Sequence, residues 1–497
     1  TNRQINWTPA HFGSKRFAYN IESAPDWSLS RTRYWGSPIP VWETDDGELF
    51  VPESVAQLEE LSGQKITDLH RPLIDEVVLT LPNGKQAHRV KEVLDVWFES
   101  GSMPYAQDHY PFENKDVFAR HFPSDFIIEY TGQLRGWFYY LHVLANALKG
   151  SVAFRNVTVT GVLMGNDGRK MSKSYGNYPD PRATIEKYGA ESLRLYFMGS
   201  KIMAGEDPAI AEEEIREQSR LLNVWHNALK YYSTYAALHQ FQPGTKLKVT
   251  KTALDRWLDA RLAEAIRDYS QGLDSFDFQA STKAIRPFIE DLSTWYIRRS
   301  RDRIVSGDPT ALATLGNVLM QAAIAFAPTL PFSGEAFYHQ LGGSLESIHL
   351  EDYPNYDQRL ITAEQSTLTA MATLRQIASM AHTQRAEAKL PLRQPLGRLT
   401  VKTDPELAKR SDLLELLRDE VNVEAVELGS ETRIDTTITP ELEAEGRYRE
   451  LTRHLQDARK QAGLQVGQVV SFHYYTRDEK LRQLIEQHAE ELVQTVA

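Results

Sequence analysis

Cysteine is absent from all 497 positions, which excludes a disulfide framework, thiol catalysis and cysteine-ligated zinc. The same absence fits a reducing, cytoplasmic compartment. No apolar run approaches the roughly 20 residues of a membrane span, so no membrane partner is expected. Nor is there a solenoid-type repeat or a low-complexity tract, which sets aside repeat arrays and linker-dominated designs. Positive charge is not in excess: 56 Lys and Arg face 67 Asp and Glu, for a net charge of −11. That balance argues against wholesale coating of nucleic acid, although an acidic protein can still carry a local basic surface. Histidine clusters with ligand spacing are missing, and Asp45-Asp46 lacks the rest of a calcium loop, so no protein-bound metal is expected. The first residues, Thr1-Asn2-Arg3-Gln4, have no apolar signal core and no initiating Met, and read as an internal cut.

What is present is an ordinary globular composition, 41% hydrophobic and 25% charged, at a length that suggests about three domains. In residues 1–215, Phe126-Ile127-Ile128 and Val157 to Met164 are short apolar or β-branched runs that read as buried strands. Trp137 to Leu148 between them has helical length and spacing. Strand, helix, strand is a βαβ unit and predicts a parallel α/β sheet. Residues 43–93, with the turn signals Asp45-Asp46-Gly47 and Leu81-Pro82-Asn83-Gly84, read as a small insertion. From residue 216 the pattern changes to long amphipathic helices. Leu254 to Leu273, Ile285 to Tyr296 and Leu312 to Phe326 mark a helical bundle over about 216–350. Residues 351–497 read as a small α+β domain. It has a helix over 362–388, strands at Leu399–Val401 and Val423–Leu428, and helices over 440–462 and 478–495.

The most specific signal is Lys170-Met171-Ser172-Lys173-Ser174, placed after a sheet strand and the Gly165-Asn166-Asp167-Gly168 turn. Two lysines three apart usually mean a solvated basic loop. In this setting, both can reach one polyphosphate as mobile point charges with three donors each. The five residues resemble the KMSKS signature of class I aminoacyl-tRNA synthetases, which contacts ATP phosphates. Three further segments resemble the isoleucyl-tRNA synthetases within that class: Ser30 to Pro40, Asp95-Val96-Trp97-Phe98-Glu99-Ser100-Gly101, and Gln133-Leu134-Arg135-Gly136-Trp137-Phe138. Trp295 to Arg301 and Ala458 to Gly463 extend the resemblance over essentially the whole chain.

The resemblance implies the second half of a Rossmann-type parallel sheet, a helical anticodon-binding bundle and a C-terminal α+β domain. By the same resemblance Glu129 holds the substrate ammonium, Gln133 positions the aminoacyl-adenylate, and Trp97 and Trp137 wall the isoleucine side-chain site. Lys170 and Lys173 act on ATP, which arrives with Mg²⁺ as substrate, and Met171, Ser172 and Ser174 complete the loop. Arg298, Arg299 and Arg301, on the polar side and last turn of a continuing helix, are the expected contacts to tRNA(Ile). Arg385, Lys389, Arg393 and Arg398 form a second basic patch. The family pattern Glu-Gly-x-Asp-Gln reads Glu129-Tyr130-Thr131-Gly132-Gln133 in this chain, so position 132 has no side chain with which to reach a ribose. The family's His-x-Gly-His motif does not occur; His11-Phe12-Gly13-Ser14 lacks the second His. The expectation is therefore a C-terminal portion that needs its N-terminal half and is catalytically incomplete alone. The alternative is a non-enzymatic tRNA-binding module derived from a synthetase.

Overall fold

A computed structural model describes residues 1–165, 167–245, 250–402, 405–464, 468, 470–471 and 473–496. Asn166 of the glycine turn lies outside them. The chain divides into two compact units, one of Thr1–Ser219 with Ser270–Lys283, the other of Arg220–Tyr269 with Ala284–Ala497.

In the first unit the strands run in chain order β1 (Asn6–Thr8), β2 (Ser30–Arg31), β3 (Trp42–Thr44), β4 (Leu49–Phe50), β5 (Val78–Thr80), β6 (Gln86–Arg89), β7 (Val93–Leu94), β8 (Ser124–Tyr130) and β9 (Phe154–Thr160). The central sheet is parallel in the order β1-β9-β8, with Trp7 opposite Val157 and Ile127 opposite the same residue on the other side. Helix α1 (Val96–Gly101) precedes β8, and α2 (Trp137–Lys149) connects β8 to β9, which is the predicted βαβ unit. Apolar residues of α2 and β9 pack around Trp7, whose ring lies 4.7 Å from Phe17 and 6.2 Å from both Phe138 and Phe154. The strand expected to reach Met164 ends at Thr160. From Gly161 onward the backbone turns to other partners, Gly161 N–H donating to Ile202 O and Val162 N–H to Asp207 Oδ1. Local β-propensity continues past that point, but the ladder does not. Strands β4-β3-β6-β5 form a separate antiparallel sheet over a small core that includes Trp42, Leu58, Ile74 and Leu79.

The second unit is mostly helical. Helix α3 (Ile285–Asp291) passes through wider π turns at Leu292–Ile297, and the helical path breaks at Ser300 (φ −93°, ψ 9°) before a short helix at Arg301–Val305. The continuous basic helix expected there is thus interrupted. Helix α4 (Pro309–Phe326) has the length and hydropathy of a membrane span, but 67% of it is buried inside the unit. The helix expected over 362–388 is α5 (Gln365–Glu387), preceded by a short helix at Gln358–Ala363. Helix α6 (Ser411–Val421) separates β10 (Leu396–Val401) from β11 (Val423–Leu428), which pair in parallel, and β12 (Arg433–Ile434) pairs antiparallel to β10. Helix α7 (Pro440–Gln461) follows, and the last expected helix is split at His488 into Glu479–Gln487 and Ala489–Val496.

Candidate functional site

The carboxyl ends of β8 and β9 are where an open parallel sheet takes its ligands. Tyr130 and Thr160 are the last residues paired there. Glu129, one step inside β8, is exposed, and its Oε2 accepts from the Tyr130 N–H at 3.0 Å. The chain then makes a single turn, Thr131–Arg135, into α2. Gln133 Oε1 accepts from the Trp137 N–H at 2.9 Å, so this side chain satisfies one of the helix's first donors. Gly136 sits closely between Gln133 and Trp97. A Cβ there would stand 2.6 Å from Gln133 Oε1 and 3.0 Å from the Trp97 ring.

Trp97 on α1 stacks on Tyr140 of α2, with centroids 5.4 Å apart and planes 13° from parallel. Trp137 Nε1 donates to Ser100 O at 3.2 Å, which locks the start of α2 to the same helix. Trp27 extends this aromatic group, 4.5 Å from Tyr140, and its Nε1 donates to Asp95 Oδ2 at 2.8 Å. Asp95 is buried and pairs with Arg31 at 3.0 Å. Burial, and then the Asp95 charge, push the Tyr140 phenol up from its ordinary value. Trp27 and Tyr140 carry no spacing signal that links them to Trp97. Asp95 lies in the Asp95–Gly101 segment, but its burial against a tryptophan 68 residues away is not legible from that segment.

The Lys170–Ser174 loop is built as a tight reversal. Gly165 N–H donates to Arg169 O at 2.7 Å, and Met171 N–H donates to Leu163 O at 3.2 Å. Asn177 clamps it: Oδ1 accepts from the Ser172 N–H at 3.1 Å, while Nδ2 donates to Asp167 Oδ1 at 2.9 Å and reaches Lys170 O at 3.3 Å. The amide of Asn177, with the Arg169 N–H behind it, holds the Asp167 carboxyl below the usual carboxylate range. Ser172 and Ser174 share a hydroxyl hydrogen bond of 2.8 Å, and Met171 is half-buried. Lys170 and Lys173 are both exposed, and the Lys170 ammonium lies 4.9 Å from the centre of the Tyr130 ring. One lysine of the loop is thereby brought to the corner that carries Glu129 and Gln133. Among the described residues no group of three or more carboxylate or imidazole side chains is placed to hold a metal.

The arginines of the second unit are placed differently from the sequence expectation. Arg298 donates to Glu420 of α6, Arg299 lies 3.2 Å from the same carboxylate, and His382 lies 3.3 Å from it. Glu420 is 3% exposed, and burial lowers both guanidinium pKa values. Arg301 is exposed without an ion-pair partner among the described residues. The second basic patch does not form as one surface. Arg385 is buried and donates to the backbone oxygens of Val421, Asn422 and Gln394, whereas Arg393 and Arg398 pair with Glu450 and Glu427.

Two family models match the chain. The class I tRNA synthetase model for I, L, M and V matches residues 1–207, and the anticodon-binding domain of tRNA ligases matches 255–402. The isoleucine--tRNA ligase of Chlamydia muridarum is 40% identical over 95% of this chain and 46% of its own length. That of Corynebacterium efficiens is 42% identical over 87% of this chain and 41% of its own. The chain therefore spans about half the length of the curated relatives it matches. Two solved structures share the fold. A LeuRS–tRNA–LeuAMS ternary complex from Agrobacterium radiobacter has a TM-score of 0.51 at 20% identity, covering 71% of this chain and 46% of that one. Mycobacterium tuberculosis methionyl-tRNA synthetase with methionyl-adenylate has a TM-score of 0.52 at 19% identity, covering 69% and 59%.

Proposed function

The chain belongs to the class I tRNA synthetases of the I, L, M and V group, and from that membership we propose that it is part of a cytoplasmic isoleucine--tRNA ligase. In this reading a carboxylate oxygen of isoleucine attacks the α-phosphorus of ATP and pyrophosphate leaves; a hydroxyl at the 3′ end of tRNA(Ile) then attacks the acyl carbon of the adenylate, and AMP leaves. Lys170 and Lys173 stabilise the charge that builds on the departing phosphates, as preorganised donors do. Mg²⁺ enters with ATP. Glu129 holds the isoleucine ammonium by a charge-assisted hydrogen bond, and Gln133 positions the adenylate. Trp97 and Trp137 present flat apolar walls suited to a branched alkyl group. Arg301, with Arg298 and Arg299 beside it, faces tRNA phosphate.

The observation that carries this reading is the contact of Lys170 with Tyr130. It joins a phosphate-type loop to the Glu129–Gln133 corner at the carboxyl end of a parallel sheet. The chain alone is inactive in this proposal, because it matches less than half the length of each relative and activation divides its phosphate stabilisation between two halves of the sheet. The second reading, a tRNA-binding module without catalysis, rests on Gly132, which has no side chain with which to meet a ribose.

ATP–pyrophosphate exchange separates the two. The 497-residue chain supplied with the part of the relatives it does not match is expected to exchange in the presence of isoleucine, and absence of exchange favours the module. Within that assembly, Lys173→Ala should lower the rate by about 10²–10³-fold with little change in the KM for isoleucine, as expected for one preorganised donor. An unchanged rate would remove Lys173 from the mechanism.

A further inference from the structure

The two lysines of the loop are held in different ways. Lys170 lies against the Tyr130 ring. Lys173 is exposed, and among the described residues it has neither an ion-pair nor a ring partner. Tyr130 itself is firmly placed. It closes β8 opposite Thr160, and its N–H donates to Glu129. Its ring lies across Gly132, where a Cβ would stand 2.4 Å from Cε2, 2.5 Å from Cζ and 2.7 Å from the hydroxyl oxygen. Tyr130 and Gly132 are thus one device: the ring occupies the space that a side chain at 132 would need.

The carboxylates close in sequence are engaged elsewhere, Glu129 on the Tyr130 N–H and Asp167 on Asn177 and the Arg169 N–H. A carboxylate partner would fix Lys170 but would also cancel its charge and take up its N–H donors. An aromatic face attracts the ammonium through the ring quadrupole and leaves both the charge and most of the donors available.

We propose that Tyr130, seated on Gly132, is a positioning residue that holds the Lys170 ammonium at the carboxyl end of the sheet, ready for a polyphosphate oxygen. This inference rests on the phosphate-binding reading of the loop and adds to it the group that aims one of the two lysines.

The test uses the 497-residue chain, competitive acetylation of lysines followed by mass spectrometry, and inorganic tripolyphosphate as the probe. Lys173, in the same loop, is the internal reference, so general loosening of the loop moves both lysines together. Tyr130→Leu should raise the acetylation rate of Lys170 relative to Lys173 by about two- to fivefold, the factor expected of an exposed ammonium–ring contact. It should raise the tripolyphosphate concentration that half-protects Lys170 by a similar factor. Tyr130→Phe keeps the ring and should match the wild type in both. If tripolyphosphate protects the wild type and Tyr130→Leu changes neither quantity, the positioning role is overturned while the loop reading stands. If Tyr130→Phe behaves like Tyr130→Leu, the ring mechanism is overturned in favour of the hydroxyl. If tripolyphosphate protects neither lysine in the wild type, the loop reading falls and the proposal falls with it.

Discussion

In the first unit, the lysines of the 170–174 loop meet no carboxylate among the described residues, and one of them rests on an aromatic ring. In the second unit, three of the four arginines between 298 and 303 end on buried carboxylates. Arg298 and Arg299 meet Glu420, and Arg303 lies 3.0 Å from Asp255, which is fully buried. Tyr296 also donates to Asp255, at 2.8 Å. Two short basic motifs therefore do opposite things. The lysines stay exposed and free of any carboxylate among the described residues, and the arginines mainly hold helices together. A buried carboxylate whose guanidinium is removed, or the reverse, leaves an uncompensated charge, so such pairs are fixed by the fold. A lysine on an exposed loop meets no such constraint.

The largest break in this comparison comes from Asp255. Asp255→Ala removes the buried carboxylate shared by Arg303 and Tyr296, leaving Arg303 with Asp308 and the Tyr296 hydroxyl with Ala311 O, and should destabilise the second unit by about 3 kcal/mol. Differential scanning calorimetry reads that as a large drop in Tm, whereas Lys173→Ala should leave Tm where it was. An Asp255→Ala chain that melts like the wild type would mean that the arginine run is not held from within.

Acid should distinguish the units next. Burial pushes the His142 imidazole of the first unit down to about 4 from an ordinary 6.5, so the folded state binds fewer protons than the unfolded chain between those values. Stability is complete above about pH 6.5 and is lost as pH falls toward 4. A shift of that size is worth about 3 kcal/mol. Asp255 in the second unit is held below the usual carboxylate value of 3.8 against the opposing effect of burial, chiefly by its hydrogen bonds from Arg303 and Thr252. Its contribution persists down to about pH 3.8 and declines only below that. Calorimetry from pH 7 to pH 4 should show a decline that His142→Leu flattens. An equally steep decline in that variant would assign the acid response to other groups.

The smallest expected effect concerns Arg301, which is exposed and free of an ion pair among the described residues. Arg301→Ala should reduce the log–log salt slope of tRNA(Ile) binding by about one and weaken affinity by less than tenfold at moderate salt. Arg299→Ala should lower Tm and change the slope less. Binding measured at several salt concentrations checks both, and an unchanged slope for Arg301→Ala would take that residue out of the tRNA interface.

The features governed by local rules were legible in the sequence. Alternating short apolar runs with a helix between them predicted the parallel βαβ unit that Ser124–Tyr130, Trp137–Lys149 and Phe154–Thr160 form. The glycine turn and five-residue signature located the loop after a strand, because turn chemistry and lysine spacing act within a few residues. Tertiary structure decided the rest. It ended β9 at Thr160 by turning Gly161 toward Ile202, and it broke the basic helix at Ser300. It buried Arg385 and placed Tyr130 on Gly132 beneath Lys170. Each of these depends on a partner outside the local pattern, such as Ile202 for Gly161, Glu420 for Arg298 and Arg299, and Lys170 for Tyr130. Local spacing sets which way a side chain leaves the backbone, but only the packed fold sets which charge or ring it meets.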